Sequence, residues 1–318
     1  MIKLAECTHE NRVRNGRNRN GSIRWKCKNP DCRKSFSDKH VPTGPLGTMQ
    51  ADPDKVFLAL NLLCEGMGVR GASRITGLKH TTITKAIKLV GEKCERFFDT
   101  YVKDVNCDFC EIDEIWEKVG CLERNKSKTK LKGYVGDCWT FFGICADSKI
   151  VLAYESGRRT GETADSFLTK LRRSIAGRVQ ITSDGLPSYK HGVAFKFLSD
   201  VDHAVLIKTY KNEQIEKRYS PAQINTVERI AQFGNPDMKR CSTSYVERFN
   251  LTVRTALKRF NRLSVGYSKD VNVHCAMLSI WICFYNFGKK HATIKTTPAI
   301  SAGLTDRKWT IREIAEWN

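Results

Sequence analysis

Apolar residues recur along this chain in two periods, one of two residues and one of three to four, and the switches between them mark the elements. Residues 107–119, CDFCEIDEIWEKV, read as a buried strand. Phe109, Ile112, Ile115, Trp116 and Val119 are types that pack on a pleated surface, and Glu111, Asp113, Glu114 and Glu117 interrupt them. Side chains alternate, so Asp113 shares a face with Glu111, Ile115 and Glu117, while Glu114 lies with Ile112 and Trp116. An edge strand with one wet face accounts for this pattern; so does a cation site, because a buried carboxylate is costly unless a cation meets it. Residues 138–145 (CWTFFGIC) and 150–154 (IVLAY), joined by Asp147-Ser148-Lys149, predict an antiparallel hairpin. Ala164, Phe167, Leu168, Leu171 and Ile175 make 162–176 an amphipathic helix. A short strand at 179–182 stops at Ser183-Asp184-Gly185, and 204–210 is the next. The order is that of an α/β mixed sheet, in which sites gather at strand ends.

Upstream, residues 40–48 (HVPTGPLGT) read as a linker, and Asp52-Pro53 starts a helix with Asp as N-cap. VRGASRIT is a short helix, Gly77 a turn, and a third helix opens near Thr81 or Thr82 with Ile83, Ile87, Val90, Cys94 and Phe97 inward. That is a helix-turn-helix pattern, whose third helix shows His80, Thr82, Thr84, Lys85 and Lys88 to solvent; a plain three-helix packing module is the alternative. Downstream, residues 211–239 are polar and read as a loop with one helix. In YVERFNLTVRTALKRFNRL, Val246, Phe249, Val253, Leu257 and Phe260 form one helical stripe, and Glu247, Asn250, Arg254 and Lys258 another. The second stripe suits a carboxylate placed near a phosphate backbone; Ser244-x-x-Glu247 equally fits a capping box. The apolar, aromatic run 271–287 predicts a helix that closes the core.

Charge narrows the partner. With 54 Lys and Arg against 34 Asp and Glu, the formal net charge is +20, which predicts a polyanion, nucleic acid first and a membrane surface second. No stretch approaches the roughly 20 apolar residues of a membrane span, and the first residues lack a signal peptide's apolar core, so an intracellular setting is expected. The 13 cysteines are an odd number and mostly spread singly; Cys64, Cys94, Cys138, Cys145, Cys275 and Cys283 read as small buried hydrophobes. Cys107 and Cys110 form a CxxC whose side chains point to opposite faces of a strand. Cys7 with His9 and Cys27 with Cys32 flank a basic stretch and fit a four-ligand zinc knuckle, although Cys7-Thr8-His9 is tighter than the usual gap; a basic arm with stray cysteines is the alternative. Arg12, Arg14, Arg17, Arg24, Lys26 and Lys34 suit phosphate contact either way, and the loop around Lys128 and Lys130 is basic too.

Three acids stand out: Asp113 on a first strand, Asp184 at the end of a later one, Glu247 on a downstream helix. Converging carboxylates bind hard divalent cations through oxygen, and paired ions clamp the attacking and leaving oxygens of a phosphoryl transfer. Around them, EIDEIWEKVG, SDGLPSY, TSYVERFNLTVRTALKRFNRLS and the tail YNFGKKHATIKTTPAISAGLTDRKWT resemble the DDE transposases of the bacterial insertion-sequence-1 type, over nearly the whole length. The resemblance implies an α/β fold: a ribonuclease H-like mixed five-stranded sheet with flanking helices at 105–290, preceded by a zinc segment at 1–40 and a helix-turn-helix domain at 49–104, and followed by an extension at 291–318. It implies that Asp113, Asp184 and Glu247 hold two magnesium ions, with manganese as a substitute, and that Cys7, His9, Cys27 and Cys32 hold one structural zinc. The activity implied is strand cleavage at the terminal inverted repeats of an insertion sequence and 3′-hydroxyl transfer into target DNA. Thr82, Thr84, Lys85, Lys88, Lys128, Lys130, Arg248, Asn250, Arg254 and Lys258 are the expected DNA contacts. His203 and His291 are at best supporting. A homodimer or higher oligomer in the synapse is expected, with no membrane, in a bacterial cytoplasm at the nucleoid; a nuclear setting stays open. A catalytically silent or domesticated zinc-dependent DNA-binding regulator is the alternative, and a stand-alone ribonuclease H-like nuclease a third.

Overall fold

The acid-bearing segment is a strand at the middle of a mixed sheet. The structure, a computed structural model, describes residues 10–18, 22–30, 32–37, 46–47, 49–210, 224–261 and 264–317. The chain divides into two units, residues 1–53 and 54–318.

In the first unit, β1 (Arg12–Arg17), β2 (Ile23–Cys27) and β3 (Ser35–Ser37) form an antiparallel sheet in that order. These strands were not legible in the sequence because they are short and mostly exposed. The Arg12 guanidinium lies 4.6 Å from the Trp25 ring centre, a cation–π contact in a segment with little apolar core. Cys27 ends β2 and is buried, and Cys32 is half-buried in the turn that follows. Cys7 and His9, the other half of the expected zinc set, lie outside the described residues.

Helix α1 (Pro53–Cys64) starts at the boundary residue, and the second unit continues with α2 (Val69–Thr76) and α3 (His80–Tyr101). Gly77 ends α2 at φ +72°, where its N–H donates to the Ser73 carbonyl, a left-handed cap that glycine adopts without strain. The sheet is built around β5 (Phe109–Val119). β4 (Val105–Asn106) precedes it and pairs in parallel with β8 (Ile175–Ala176), a small ladder of its own. β6 (Gly136–Cys145) and β7 (Val151–Gly157) continue from β5 as an antiparallel meander; the chain then crosses through α4 (Gly161–Ser174) to β9 (Val179–Ser183), parallel to β5. After α5 (Pro187–Phe197), β10 (Val201–Tyr210) pairs in parallel with β9, and β11 (Ile224–Phe233) returns antiparallel at the edge. The order is β11-β10-β9-β5-β6-β7.

The sheet has six strands rather than five, and the sixth falls where a loop with one helix was expected. Most of β11 is exposed, so it carries no apolar alternation; its pairing with β10 decides its conformation. Helix α5 was not foreseen, although Tyr189, Val193 and Phe197 are buried at steps of four.

Beyond the sheet come α6 (Ser244–Ala256), α7 (Val271–Cys283), α8 (Pro298–Ser301) and α9 (Ile311–Glu316). Helix α6 is shorter than its stripe suggested: Lys258 and Phe260 belong to a separate 3₁₀ turn. Helix α7 runs on into a π turn, and, against the expectation that no stretch approaches a membrane span, Val271–Gly288, with mean hydropathy 1.2, is by length and composition apolar enough to cross one; 67% of it is buried inside the protein, as in a core helix. It packs against α3 at a contact so close that a Cβ on Gly91 would stand 2.5 Å from that of Ala276. In the π turn, Asn286 Nδ2 donates to the Val151 carbonyl and its Oδ1 accepts from the Val151 N–H, both at 3.0 Å. Trp309 and Trp317 close on Phe97 of α3, with ring centres 5.1 and 5.4 Å away.

Candidate carboxylate site

Asp113 stands midway along β5, and Asp184 is the first residue past the end of its parallel neighbour β9. The chain must leave the sheet there: Asp184 Oδ1 accepts from Leu186 N at 3.0 Å, a turn that delivers Pro187 to the start of α5. Carboxylate oxygens of Asp113, Glu114 and Asp184 lie within 4.8 Å of one another. Burial, followed by the charges of Glu114 and Asp184, pushes Asp113 up to about 7; a backbone hydrogen bond opposes this, and Glu247 adds a smaller push. Glu114 is raised too, by burial first and the Asp184 charge second. Acids that resist ionising together are the electrostatic signature of a place where positive charge would be welcome.

Glu114 is the residue the sequence reading did not place in the site. Alternation put it on the far face of β5, where it is indeed anchored. Its Oε1 accepts from Arg159 Nε at 2.9 Å and Nη2 at 2.5 Å, and its Oε2 from the Tyr189 hydroxyl at 2.9 Å. Its signal was an acid between Asp113 and Ile115 in an apolar strand; the position of Asp184 at the strand end, open to both faces, could not be read from spacing.

Glu247 sits in the first turn of α6, outside that group of three. It accepts from Thr243 Oγ1 at 2.6 Å and is paired with Lys208. One turn on, Asn250 Nδ2 donates to Asp113 Oδ2 at 2.8 Å, and Asn250 Oδ1 is buried without a hydrogen bond among the described residues. The capping-box alternative does not hold: the amides of Tyr245 and Val246 donate instead to Glu111 Oε2, at 2.7 and 2.9 Å, and Ser244 N donates to Ser242 Oγ. Glu111, two residues before Asp113 on one face, therefore seats the N-terminus of α6 over the strand. Burial pushes Glu111 up to about 7 against the opposing pull of those amides.

His203 is fully buried on β10, with Nε2 2.9 Å from Ser183 Oγ, and burial pushes it down to about 4. It braces the end of β9 as a neutral ring. His291 packs edge-on to Tyr285 and takes no part in the carboxylate group. Of the expected DNA contacts, Lys85, Lys128, Lys130, Arg248 and Lys258 are exposed, and Thr82 and Thr84 half-buried. Three are committed to the protein: Lys88 to Asp270 at 2.8 Å, Asn250 to Asp113, and Arg254 Nη1 to the carbonyls of Trp116 and Phe260. Asn250 and Arg254 thus tie α6 to β5, a use that stripe periodicity does not distinguish from phosphate contact.

Fold and site together define a mixed α/β protein with a hard-oxygen, acidic centre where β5 meets the end of β9. Against known proteins, the chain is 25% identical to the insertion element iso-IS1n protein InsB of Shigella dysenteriae over 173 residues, 54% of this chain and 92% of that one. Among solved structures it is similar to the piggyBac transposase synaptic complex with hairpin DNA at 10% identity and a TM-score of 0.35, covering 80% of this chain and 71% of that one. No family model matches.

Proposed function

We propose that this chain is a DDE transposase with a ribonuclease H-like core, cutting DNA at the ends of its element and joining the freed 3′-hydroxyls to a target. The similarity to an insertion-element protein supports a transposase in general. The observation that carries the finer reading is the meeting of Asp113 and Asp184, 71 residues apart in sequence, under a helix whose first turn bears Glu247. The donor set is all carboxylate oxygen, which suits magnesium or manganese and not a soft ion. Asp113, Asp184 and Glu247 would hold the metal, which when bound polarises the phosphodiester and its attacking and leaving oxygens. Arg159 and Tyr189 fix Glu114 behind them, and Asn250 orients Asp113.

The net charge of +20 supports a DNA partner. In this reading α1–α3 form the helix-turn-helix that reads the terminal inverted repeats through Thr82, Thr84 and Lys85, and the β1–β3 segment holds zinc through Cys27 and Cys32. The synapse is built from two or more copies in a bacterial cytoplasm. Purified protein with labelled repeat ends, Mg²⁺ and a target plasmid tests it. Asp184→Asn is expected to abolish cleavage and joining while leaving repeat binding nearly unchanged. Full joining by that variant overturns the proposal; in the wild type, cut ends alone indicate a nuclease, and a mobility shift without cutting a regulator.

A further inference from the structure

A second polar cluster lies in the core, on the Asp113 face of β5 but four residues further along, about 13 Å away at strand spacing. Glu117 pairs across the ladder with Cys138 of β6, which sets the two side chains on one face. His274, in the first turn of α7, comes down on both. The three residues are 2%, 0% and 0% exposed, and a carboxylate oxygen, the sulfur and a ring nitrogen lie within 4.8 Å of one another.

The bonding of this cluster is half complete. Glu117 Oε1 accepts from Thr140 Oγ1 at 2.6 Å, while Oε2 has no partner among the described residues. His274 Nδ1 is 3.0 Å from Ser268 Oγ, which also accepts from Arg259 Nη1 at 2.9 Å. On the other side of the ring, Nε2 makes no hydrogen bond among the described residues, although Glu117 Oε1 is 3.4 Å away. Unpartnered polar atoms in a dry core are costly and rare. A buried ion pair would align Nε2–H on a carboxylate oxygen, and these two groups are not so aligned.

We propose that Glu117, Cys138 and His274 form a structural site for a divalent ion of the zinc class, independent of the carboxylate site and of the function proposed for it. Thiolate, imidazole and carboxylate together select zinc-like ions over magnesium or calcium, which take oxygen alone. Charge closes as well: a divalent cation, one thiolate, one carboxylate and a neutral imidazole sum to zero, the state a buried site tolerates best. Binding replaces the thiol proton of Cys138 by the metal, with the proton released to solvent. The supports around the ligands suit this use, since Nδ1–H of His274 can donate to Ser268 Oγ and Thr140 holds the carboxylate. Without the ion, burial and the Glu117 charge push the Cys138 thiol up; a bound cation reverses that balance. The ion would clamp β5, β6 and α7 at one point.

The test uses the full chain carrying Cys7→Ser, Cys27→Ser and Cys32→Ser, so that the N-terminal cysteines contribute nothing. Titration with Co²⁺ is expected to give a thiolate-to-cobalt absorption band at one ion per chain, displaced by Zn²⁺ and untouched by excess Mg²⁺. Cys138→Ser is expected to abolish the band, and His274→Gln to weaken binding by roughly tenfold or more. Asp184→Asn should leave the band intact, which separates this site from the other. Zinc is also expected to raise the melting temperature of the parent chain but not of Cys138→Ser. If the parent binds no ion, or if circular-dichroism-folded Cys138→Ser binds cobalt as the parent does, the proposal fails. Should both ligand variants be unfolded, the stoichiometry of the parent, one or zero, decides.

Discussion

At Asp113 the chain keeps a carboxylate where its neighbours oppose its ionisation. Burial and the charges of Glu114 and Asp184 hold it at about 7, so at pH 8 without divalent cations its charge is a cost to the fold. Asp113→Asn is therefore expected to be inactive yet more stable than wild type in chelator at pH 8, by on the order of 1–2 kcal/mol, read from urea unfolding; equal or lower stability would show that the neighbouring acids impose no strain. His203 titrates in the opposite sense. Its folded value of about 4 lies below the 6.5 of a free imidazole, so between these values the unfolded chain binds the proton and the folded chain does not. Its contribution is present above about 6.5 and lost as pH falls through about 4. Glu111 and Asp113, both held near 7, lose stability as pH rises through the same window, so the two effects partly cancel in the whole protein. The stability difference between wild type and His203→Gln isolates the ring: it is expected to shrink by up to ~1.4 kcal/mol per pH unit below 6, measured from urea midpoints at pH 7 and 5, and parallel pH profiles would refute it. In the sequence, Asp113 and Asp184 were legible because each interrupts or ends an apolar run. Glu114 was not, because alternation fixes a side chain's face and says nothing of a neighbour that reaches around the strand end.

Elements in this fold are joined by side chains that complete another element's backbone. Glu111 takes the two free amides of α6, and Asn286 takes both polar groups of Val151 at the start of β7. Asn286→Ala would strand a buried N–H and a buried carbonyl together. A loss of about 2–4 kcal/mol is expected, measured by chemical denaturation, and a loss below about 1 kcal/mol would mean that the π turn is not a structural tie. Such ties explain what sequence patterns reached and what they did not. Strands β5, β6, β9 and β10 and helices α4 and α7 announced themselves through buried stripes; Ala164, Phe167, Leu168 and Leu171 are all buried where period predicted. Strand β11 has no stripe because its order comes from its ladder with β10. The capping role open to Glu247 went to Glu111, a residue more than 130 positions away, and local spacing could not foresee that.

Over the whole molecule, positive charge is the feature spread most widely, with basic residues in β1 and β2, around α2 and α3, in the turn at 123–128 and on α6. Affinity for DNA is accordingly expected to fall steeply with salt, the log–log slope approaching about −0.9 for each phosphate neutralised. Lys85→Ala and Lys128→Ala, both exposed, should each make that slope shallower by about 1 in fluorescence titrations; unchanged slopes would remove those side chains from the interface.

The glycine at 91 has a mechanical consequence. Eleven residues separate it from His80, a lever of about 16 Å along α3. If a larger residue at 91 pivoted the helix away from Ala276 by as little as ~5°, the turn bearing His80, Thr82 and Lys85 would swing sideways by roughly 1.5 Å, more than the tolerance of a hydrogen bond. The aim of an outward-facing turn is thus set by a hydrogen atom hidden in the core.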